Sequence, residues 1–318
     1  MSYSNIEFTK TKAGLKSGSN ERKTVRSCLW FRLSHSPKTT FVFSSRLPFR
    51  SEVRVPHLPM TRRRFYAPPD AFTESGVTKV VTLAPEEARH LRDVLRMRAG
   101  DEAFVFDGEG VEYRCAVGEV GRGSGGRATL RIEEQVAAPH VESPLSLTLV
   151  VALLKGEKFD LVVQKATELG VTRIAPVVTK RADVRPRDGE DAAKRVARWR
   201  RLALEAAKQS GRARVPEVAP PVTLEAALSD ATFGGDAARL MFAERGGVSL
   251  SELSEVFKER APFVAALVGP EGGWEDEEVS RAQSAGWIIV TLGGRTLRAE
   301  TAAIVAAALL QHQFGDLK

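Results

Sequence analysis

The rhythm of apolar and polar positions divides the chain into three stretches. Residues 1–59 hold no sustained helical or strand period and are rich in Ser, Thr, Lys and Arg. Such a segment buries too little apolar surface to offset its ordering entropy, so it is expected to be disordered. From Phe65 to Ala138 short β-branched runs alternate with turn residues. Val77–Leu83, Glu102–Asp107, Glu112–Val120 and Arg127–Glu133 predict strands, with turns at Asp107-Gly108 and Gly121–Gly126. Pro85–Met97 carries the stripe Ala88, Leu91 and Leu95 behind a first-turn proline and predicts one helix. The sum is a small β-barrel.

Beyond the linker Pro139–Pro144 strands and helices alternate. Leu147–Leu154, Arg173–Val178, Arg239–Ala243, Phe263–Val268 and Trp287–Leu292 are apolar runs of the kind buried in parallel sheets. Phe159, Val162, Val163 and Ala166 stripe one intervening helix, which Gly170 can end. Ala192, Val196, Trp199, Ala203 and Ala206 stripe another, which Gly211 can end. The order predicts an α/β domain with a mostly parallel sheet. The last helix, Thr301–Phe314, is apolar almost all round and is expected to be buried on several sides, against a second subunit among them.

Charge changes the picture less than the total of +7 suggests. Residues 1–59 hold eleven Lys/Arg against three Asp/Glu, which leaves residues 60–318 with 36 basic and 37 acidic groups. The high pI is therefore no argument for nucleic acid, and local patches must carry one. Cys28 and Cys115 form no spaced pair, which points to neither a disulfide framework nor a metal site and suits a reducing, cytoplasmic setting. No apolar run reaches the roughly 18 residues of a membrane span.

Two segments carry chemistry. Leu267-Val268-Gly269-Pro270-Glu271-Gly272-Gly273-Trp274 is a strand running into a Gly-rich loop and then the acidic helix start Glu275–Glu278. Open α/β sheets bind ligands at such carboxyl ends. Acids filling the helix start argue against phosphate there and favour a ligand with a neutral or cationic portion. Leu292-Gly293-Gly294-Arg295-Thr296-Leu297-Arg298-Ala299-Glu300-Thr301 is a second Gly-rich strand exit, with Glu300 or Thr301 as candidate helix cap. By contrast, Gly121–Gly126 satisfies G-x-G-x-x-G only in letters, because a strand rather than a helix follows it. It reads as a hairpin turn.

Gly269-Pro270-Glu271-Gly272-Gly273, followed by Leu292-Gly293-x-Arg295-x-Leu297-Arg298-x-Glu300-Thr301-Ala302, resembles the RsmE family of 16S ribosomal RNA uridine-N3 methyltransferases, of the SPOUT class. Gln164–Val171, Glu205–Ser210 with Arg212, and, in the barrel, His90-Leu91 with Val94–Met97 and Phe106-Asp107-Gly108 agree with it. The resemblance runs from about Arg62 to the C-terminus. Trp274-Glu275 departs from the family's usual Phe followed by Ser or Thr, which predicts a poorer helix cap and a locally altered loop.

The resemblance does not cover the disordered basic extension over 1–59; it implies a PUA-like β-barrel RNA-binding domain over 60–140 and a knotted SPOUT-type α/β domain over 141–318. It also implies a homodimer that acts on 16S ribosomal RNA or the small ribosomal subunit, with S-adenosyl-L-methionine as cofactor. Val268, Gly269, Pro270, Glu271, Gly272, Gly273, Leu292, Gly293, Arg295, Leu297 and Thr301 are then the expected cofactor residues. Arg298 leads the catalytic candidates, ahead of Arg295, because a guanidinium facing a uracil oxygen stabilises the charge that develops as N3 loses its proton. Glu300 is the nearest candidate proton acceptor. Arg62, Arg63, Arg64, Arg96, Gln209 and Arg212 are the expected RNA contacts. A SPOUT enzyme acting on another RNA and a non-catalytic ribosome-assembly protein are the competing readings.

The leader admits two explanations, an organellar transit peptide or an extension upstream of a true start at Met60, and the second is the expectation. A chain beginning at Met60 should match the full chain in thermal stability and, at near-physiological salt, in methylation of ribosomal RNA. A truncated chain that fails to fold, or loses methylation at that salt, would make the leader a working part.

Overall fold

A computed structural model describes residues 62–318, apart from 76–77, 122, 124, 230–236 and 257–262. The expectations for the leader thus lie outside the described residues. The first layer is a curled sheet of six strands: β1 (Arg64–Tyr66), β2 (Phe72–Ser75), β3 (Thr78–Leu83), β4 (Glu102–Phe106), β5 (Glu112–Val120) and β6 (Ala128–Val136). They run in the order β1-β4-β5-β6-β3-β2, antiparallel except for the β1–β4 pair. Alternate side chains turn inward, as the two-residue period requires, and Phe65, Val81, Leu83, Val105, Cys115, Val117 and Leu130 form the core. The Asp107 carboxylate accepts the N–H groups of Glu109, Gly110 and Val111 and so builds the β4–β5 turn. Gly121 and Gly126 lie between β5 and β6, and the Gly121 N–H donates to the Arg127 carbonyl.

The single helix expected over Pro85–Met97 is corrected. An α-helical turn, α1 (Pro85–Arg89), passes directly into a π-helical turn over His90–Val94, where the Leu95 N–H reaches back to the His90 carbonyl. Arg96 then takes a left-handed φ of 52°. The wider turn breaks the 3.6-residue stripe and still lets both Leu91 and Met97 reach the barrel core.

The second layer starts with β7 (Ser146–Ala152), α2 (Lys158–Glu168), β8 (Arg173–Val178), α3 (Gly189–Ser210), β9 (Glu217–Val218), β10 (Val222–Thr223) and α4 (Leu224–Leu228). It continues with β11 (Ala238–Phe242), β12 (Val248–Ser249), α5 (Leu250–Val256), β13 (Phe263–Val268), α6 (Asp276–Ser284), β14 (Ile288–Thr291) and α7 (Ala299–Phe314). All pairings are parallel, in the order β10-β8-β7-β13-β11-β14-β12, with β9 beside β8. Both faces are covered. Leu147, Leu149 and Val151 of β7 meet α2, α3 and α7 on one side, while Val150 and Ala152 meet the side that α4 and α6 cover. Gly170 and Gly211 follow α2 and α3 at φ of 79° and 78°, left-handed values that stop a helix at little cost to glycine. The last helix starts two residues earlier than expected, with Arg298 at its N-cap, so neither Glu300 nor Thr301 caps it.

Charged residues join the two layers. Glu112, fully buried, receives Arg64 through two hydrogen bonds and Arg62 through one. The Arg64 guanidinium also donates to the carbonyls of Lys208 and Arg212 at the end of α3. Lys208 reaches Glu87 at 2.6 Å, and Arg212, 5% exposed, binds Glu142 and the Thr167 and Val171 carbonyls. Arg64 and Arg212 spend their guanidinium donors inside the protein, which weighs against the expectation of RNA contacts there, while Arg62, 28% exposed, commits only its Nη1. Glu112→Ala leaves Arg64, 8% exposed, without its counter-charge. The variant should lose about 3 kcal/mol of stability in urea unfolding. A loss under about 1 kcal/mol would mean that the guanidinium escapes to water.

Candidate functional site

In a parallel sheet covered on both faces, the carboxyl ends of the strands are where the chain opens. Residues 264–268 of β13 are all buried and apolar, which fixes the strand and projects its exit loop beyond the sheet. β11 lies between β13 and β14, so the exits of these three strands are neighbours. Together they line one cleft at the carboxyl edge of the sheet. β11 supplies Phe242, Ala243 and Glu244; the β13 exit supplies Val268, Gly269, Pro270, Gly273 and Trp274. The β14 exit and the start of α7 supply Leu292, Gly293, Arg295, Leu297, Ala299 and Ala302.

Trp274 ties two of these exits together. Its indole N–H donates to the Phe242 carbonyl at 2.8 Å, and its ring lies so close over Gly269 that a Cβ there would stand 2.8 Å from Cε2. The loop closes on itself by a Gly273 N–H bond to the Pro270 carbonyl, and Gly273 takes a φ of 68°. Behind it, α6 starts better capped than expected: the Glu278 carboxylate accepts the N–H of Glu275 and also that of Lys180. Lys180, 2.6 Å away, holds the Glu275 carboxyl below the usual range, with Arg181 adding to the effect. The helix start is thereby filled by the protein's own charges.

Of the expected cofactor residues, Val268, Gly269, Pro270, Gly273, Leu292, Gly293, Arg295 and Leu297 line the cleft. Glu271, Gly272 and Thr301 do not. Glu271 pairs with Lys158 at 2.9 Å; burial works against its carboxylate, but the Lys158 hydrogen bond and charge together with backbone N–H groups hold it below the usual range. Gly272 packs on Arg181, whose guanidinium donates to its carbonyl, and Thr301 is exposed on α7. Arg295 and Arg298 are exposed, without an ion pair among the described residues. Glu300 sits 4.0 Å from Lys158, away from the cleft lining, with its Oε2 buried and without a hydrogen bond. Arg63, Arg96 and Gln209 are exposed.

Sequence reasoning missed Phe242, Ala243, Glu244, Ala299 and Ala302, and it saw in Trp274 only an altered loop. The signal for the β11 residues was the carboxyl end of a predicted strand. Which strands are neighbours is set by the sheet order, however, and that order is not written in hydrophobic runs.

A model of the RNA methyltransferase domain matches residues 141–311, and a model of the RNA methyltransferase PUA domain matches residues 83–125. Ribosomal RNA small subunit methyltransferase E of Synechocystis sp. is 34% identical over 74% of this chain and 74% of its own. The enzyme of the same name from Mycobacterium bovis is 33% identical over 78% and 90%. Among solved structures, ribosomal RNA small subunit methyltransferase E of Neisseria gonorrhoeae, bound to S-adenosyl methionine, superimposes with a TM-score of 0.69 at 34% identity, covering 81% of this chain and all of its own. A Legionella pneumophila methyltransferase with its bound cofactor SAM gives 0.70 at 32%, with the same coverage.

Gly269→Ala should push Trp274 off the loop, shift tryptophan emission and cost about 1–3 kcal/mol in thermal unfolding. Gly272→Ala meets only Arg181 and should leave the emission unchanged. Equal spectra for both variants would show that Trp274 does not rest on Gly269.

Proposed function

Because the chain belongs to the family of ribosomal RNA small subunit methyltransferase E, we propose that it transfers a methyl group from S-adenosyl-L-methionine to N3 of one uridine in 16S ribosomal RNA of the small subunit. The observation that carries this reading is the cleft shared by the exits of β11, β13 and β14. Its lining suits the cofactor. Phe242, Val268, Pro270, Leu292 and Leu297 offer apolar surface for a purine, while Gly293, at φ 101° with open space where a Cβ would lie, lets a ligand approach the main chain. Glu244 and Arg295 are the charged side chains among the lining residues and suit a ligand carrying both signs.

When bound there, the cofactor supplies an electrophilic methyl group on a sulfonium. The protein must then hold the uracil in line and stabilise the negative charge left when N3 is deprotonated. Arg298, exposed at the N-cap of α7 and three residues beyond the cleft-lining Arg295, is the residue assigned to that contact. Glu300 has a free buried oxygen beside Lys158 and suits the orientation of the α7 start better than proton abstraction at the cleft. Arg63, Arg96 and Gln209, all exposed, are the residues assigned to RNA. The interleaving of β11 to β14, with β13 returning between β7 and β11, agrees with a knotted SPOUT threading. The outward side of α7, where Leu309 is 37% exposed, is assigned to a second copy in a homodimer. Among the described residues no helix is long and apolar enough to cross a membrane; a cytoplasmic setting beside the ribosome follows from the substrate.

The test is methylation of small-subunit RNA from cells lacking the gene, followed by nucleoside mass spectrometry. N3-methyluridine is expected, and a product methylated at another atom or only in another RNA would overturn the assignment. Arg298→Ala should slow single-turnover methylation by about 100-fold with cofactor affinity unchanged. Light scattering should give about twice the 34.7 kDa chain mass, and an active monomer would remove the dimer from the reading.

A further inference from the structure

Glu244 stands out because nothing in the protein uses it. It follows β11 by one residue, is exposed, and has no hydrogen-bond or ion-pair partner among the described residues. Its Oε1 lies over the Gly-rich loop, 3.8 Å from where a Cβ on Gly273 would be. The same side chain borders a second groove with Arg181, Arg245, Asp276 and Ser280, which also shares Trp274 with the cleft. The carboxylate therefore sits at the mouth, where the cleft opens toward this groove. Of the other acids nearby, Asp276 lines the groove but not the cleft, and the rest are committed elsewhere: Glu271 to Lys158, Glu275 to Lys180 and Arg181, and Glu278 to backbone N–H groups.

We infer that Glu244 makes the cleft prefer the charged methyl donor over its demethylated product. This rests on the cofactor reading of the cleft. The reacting sulfur must face the mouth, because an incoming base has to reach the methyl group there. The donor carries a positive sulfonium at that sulfur. After transfer the S–CH3 bond is broken, its electron pair stays on sulfur, and the product is a neutral thioether. A fixed carboxylate at the mouth attracts the first and is indifferent to the second, so donor is retained and product is released. Arg295 cannot supply this discrimination, because the carboxylate it would meet is present on both molecules. A hydroxyl-accepting role for Glu244 on the ribose could not supply it either, because both molecules carry the same ribose.

That difference makes the inference testable by calorimetry with S-adenosylmethionine and S-adenosylhomocysteine on the full chain. Glu244→Gln keeps the shape and hydrogen-bonding capacity and removes the charge, and an exposed side chain without partners gives no reason for a change in melting temperature. The variant should bind the donor about five- to tenfold more weakly and the product within about twofold of the wild type, with the donor effect shrinking as salt rises. Equal weakening for both ligands would reassign Glu244 to a shared group, and unchanged affinity for both would remove it from the site. Either result overturns the inference while leaving the cleft as the cofactor site. A wild-type protein that binds neither ligand would instead bring down the cofactor reading itself.

Discussion

Everything in the catalytic layer depends on one constraint: a parallel sheet covered by helices on both faces leaves only its strand ends open. The buried runs of β7, β11 and β13 spend their side chains on the two cores, so any ligand must be met by loops at the carboxyl edge. The strand order then decides which loops meet. With β11 inserted between β13 and β14, a Gly-rich loop, a short acidic exit and a second Gly-rich loop are forced into one cleft. Trp274 consolidates it by spending its indole N–H on the Phe242 carbonyl, a strand-end acceptor with no further strand residue to pair with. The glycine at position 269 is what lets the indole ring lie so close over the loop.

The same economy of partners explains the arginines of the junction. An arginine at a boundary between two layers is more useful as a multiple donor to carbonyls than as a solvated charge, because its planar fork can satisfy several acceptors at once. Arg64 and Arg212 do this from opposite sides of the end of α3, and Glu112 and Glu142 neutralise them. The acids are what distinguish them from free cations. Arg63, between Arg62 and Arg64 and just ahead of β1, is exposed.

That distinction marks how far the sequence could be read. Periodicity revealed the parallel strands, the α2 and α3 stripes and their glycine stops, because each is a local pattern enforced by burial. The Gly-rich exits after β13 and β14 were legible for the same reason: a strand followed by glycines has few structural uses. The contribution of β11 was not legible, since Phe242-Ala243-Glu244 becomes part of the site only through an adjacency fixed by long-range pairing. Nor could the roles of Arg62, Arg64 and Arg212 be read, as a basic residue in a run looks alike whether its counter-charge is a phosphate or a glutamate 48 or 70 positions away. The π-turn after α1 was hidden by its own stripe, which a regular helix would also have produced.

With residues 60–318 close to neutral, and several of their cations held in internal pairs, the folded body has little long-range pull on RNA. Arg295, Arg298, Arg63 and Arg96 have no side-chain hydrogen bond or ion pair among the described residues, and neither do Arg98, Arg127, Arg201 and Arg245. Each phosphate neutralised adds one increment to affinity and to its salt dependence, so a handful of contacts gives a shallow slope and modest binding to arbitrary RNA. Selectivity for an RNA then cannot rest on net charge and must come from shape and from unstacked bases. A body of this charge is suited to a structured substrate that presents one nucleotide, and poorly suited to scanning along a strand.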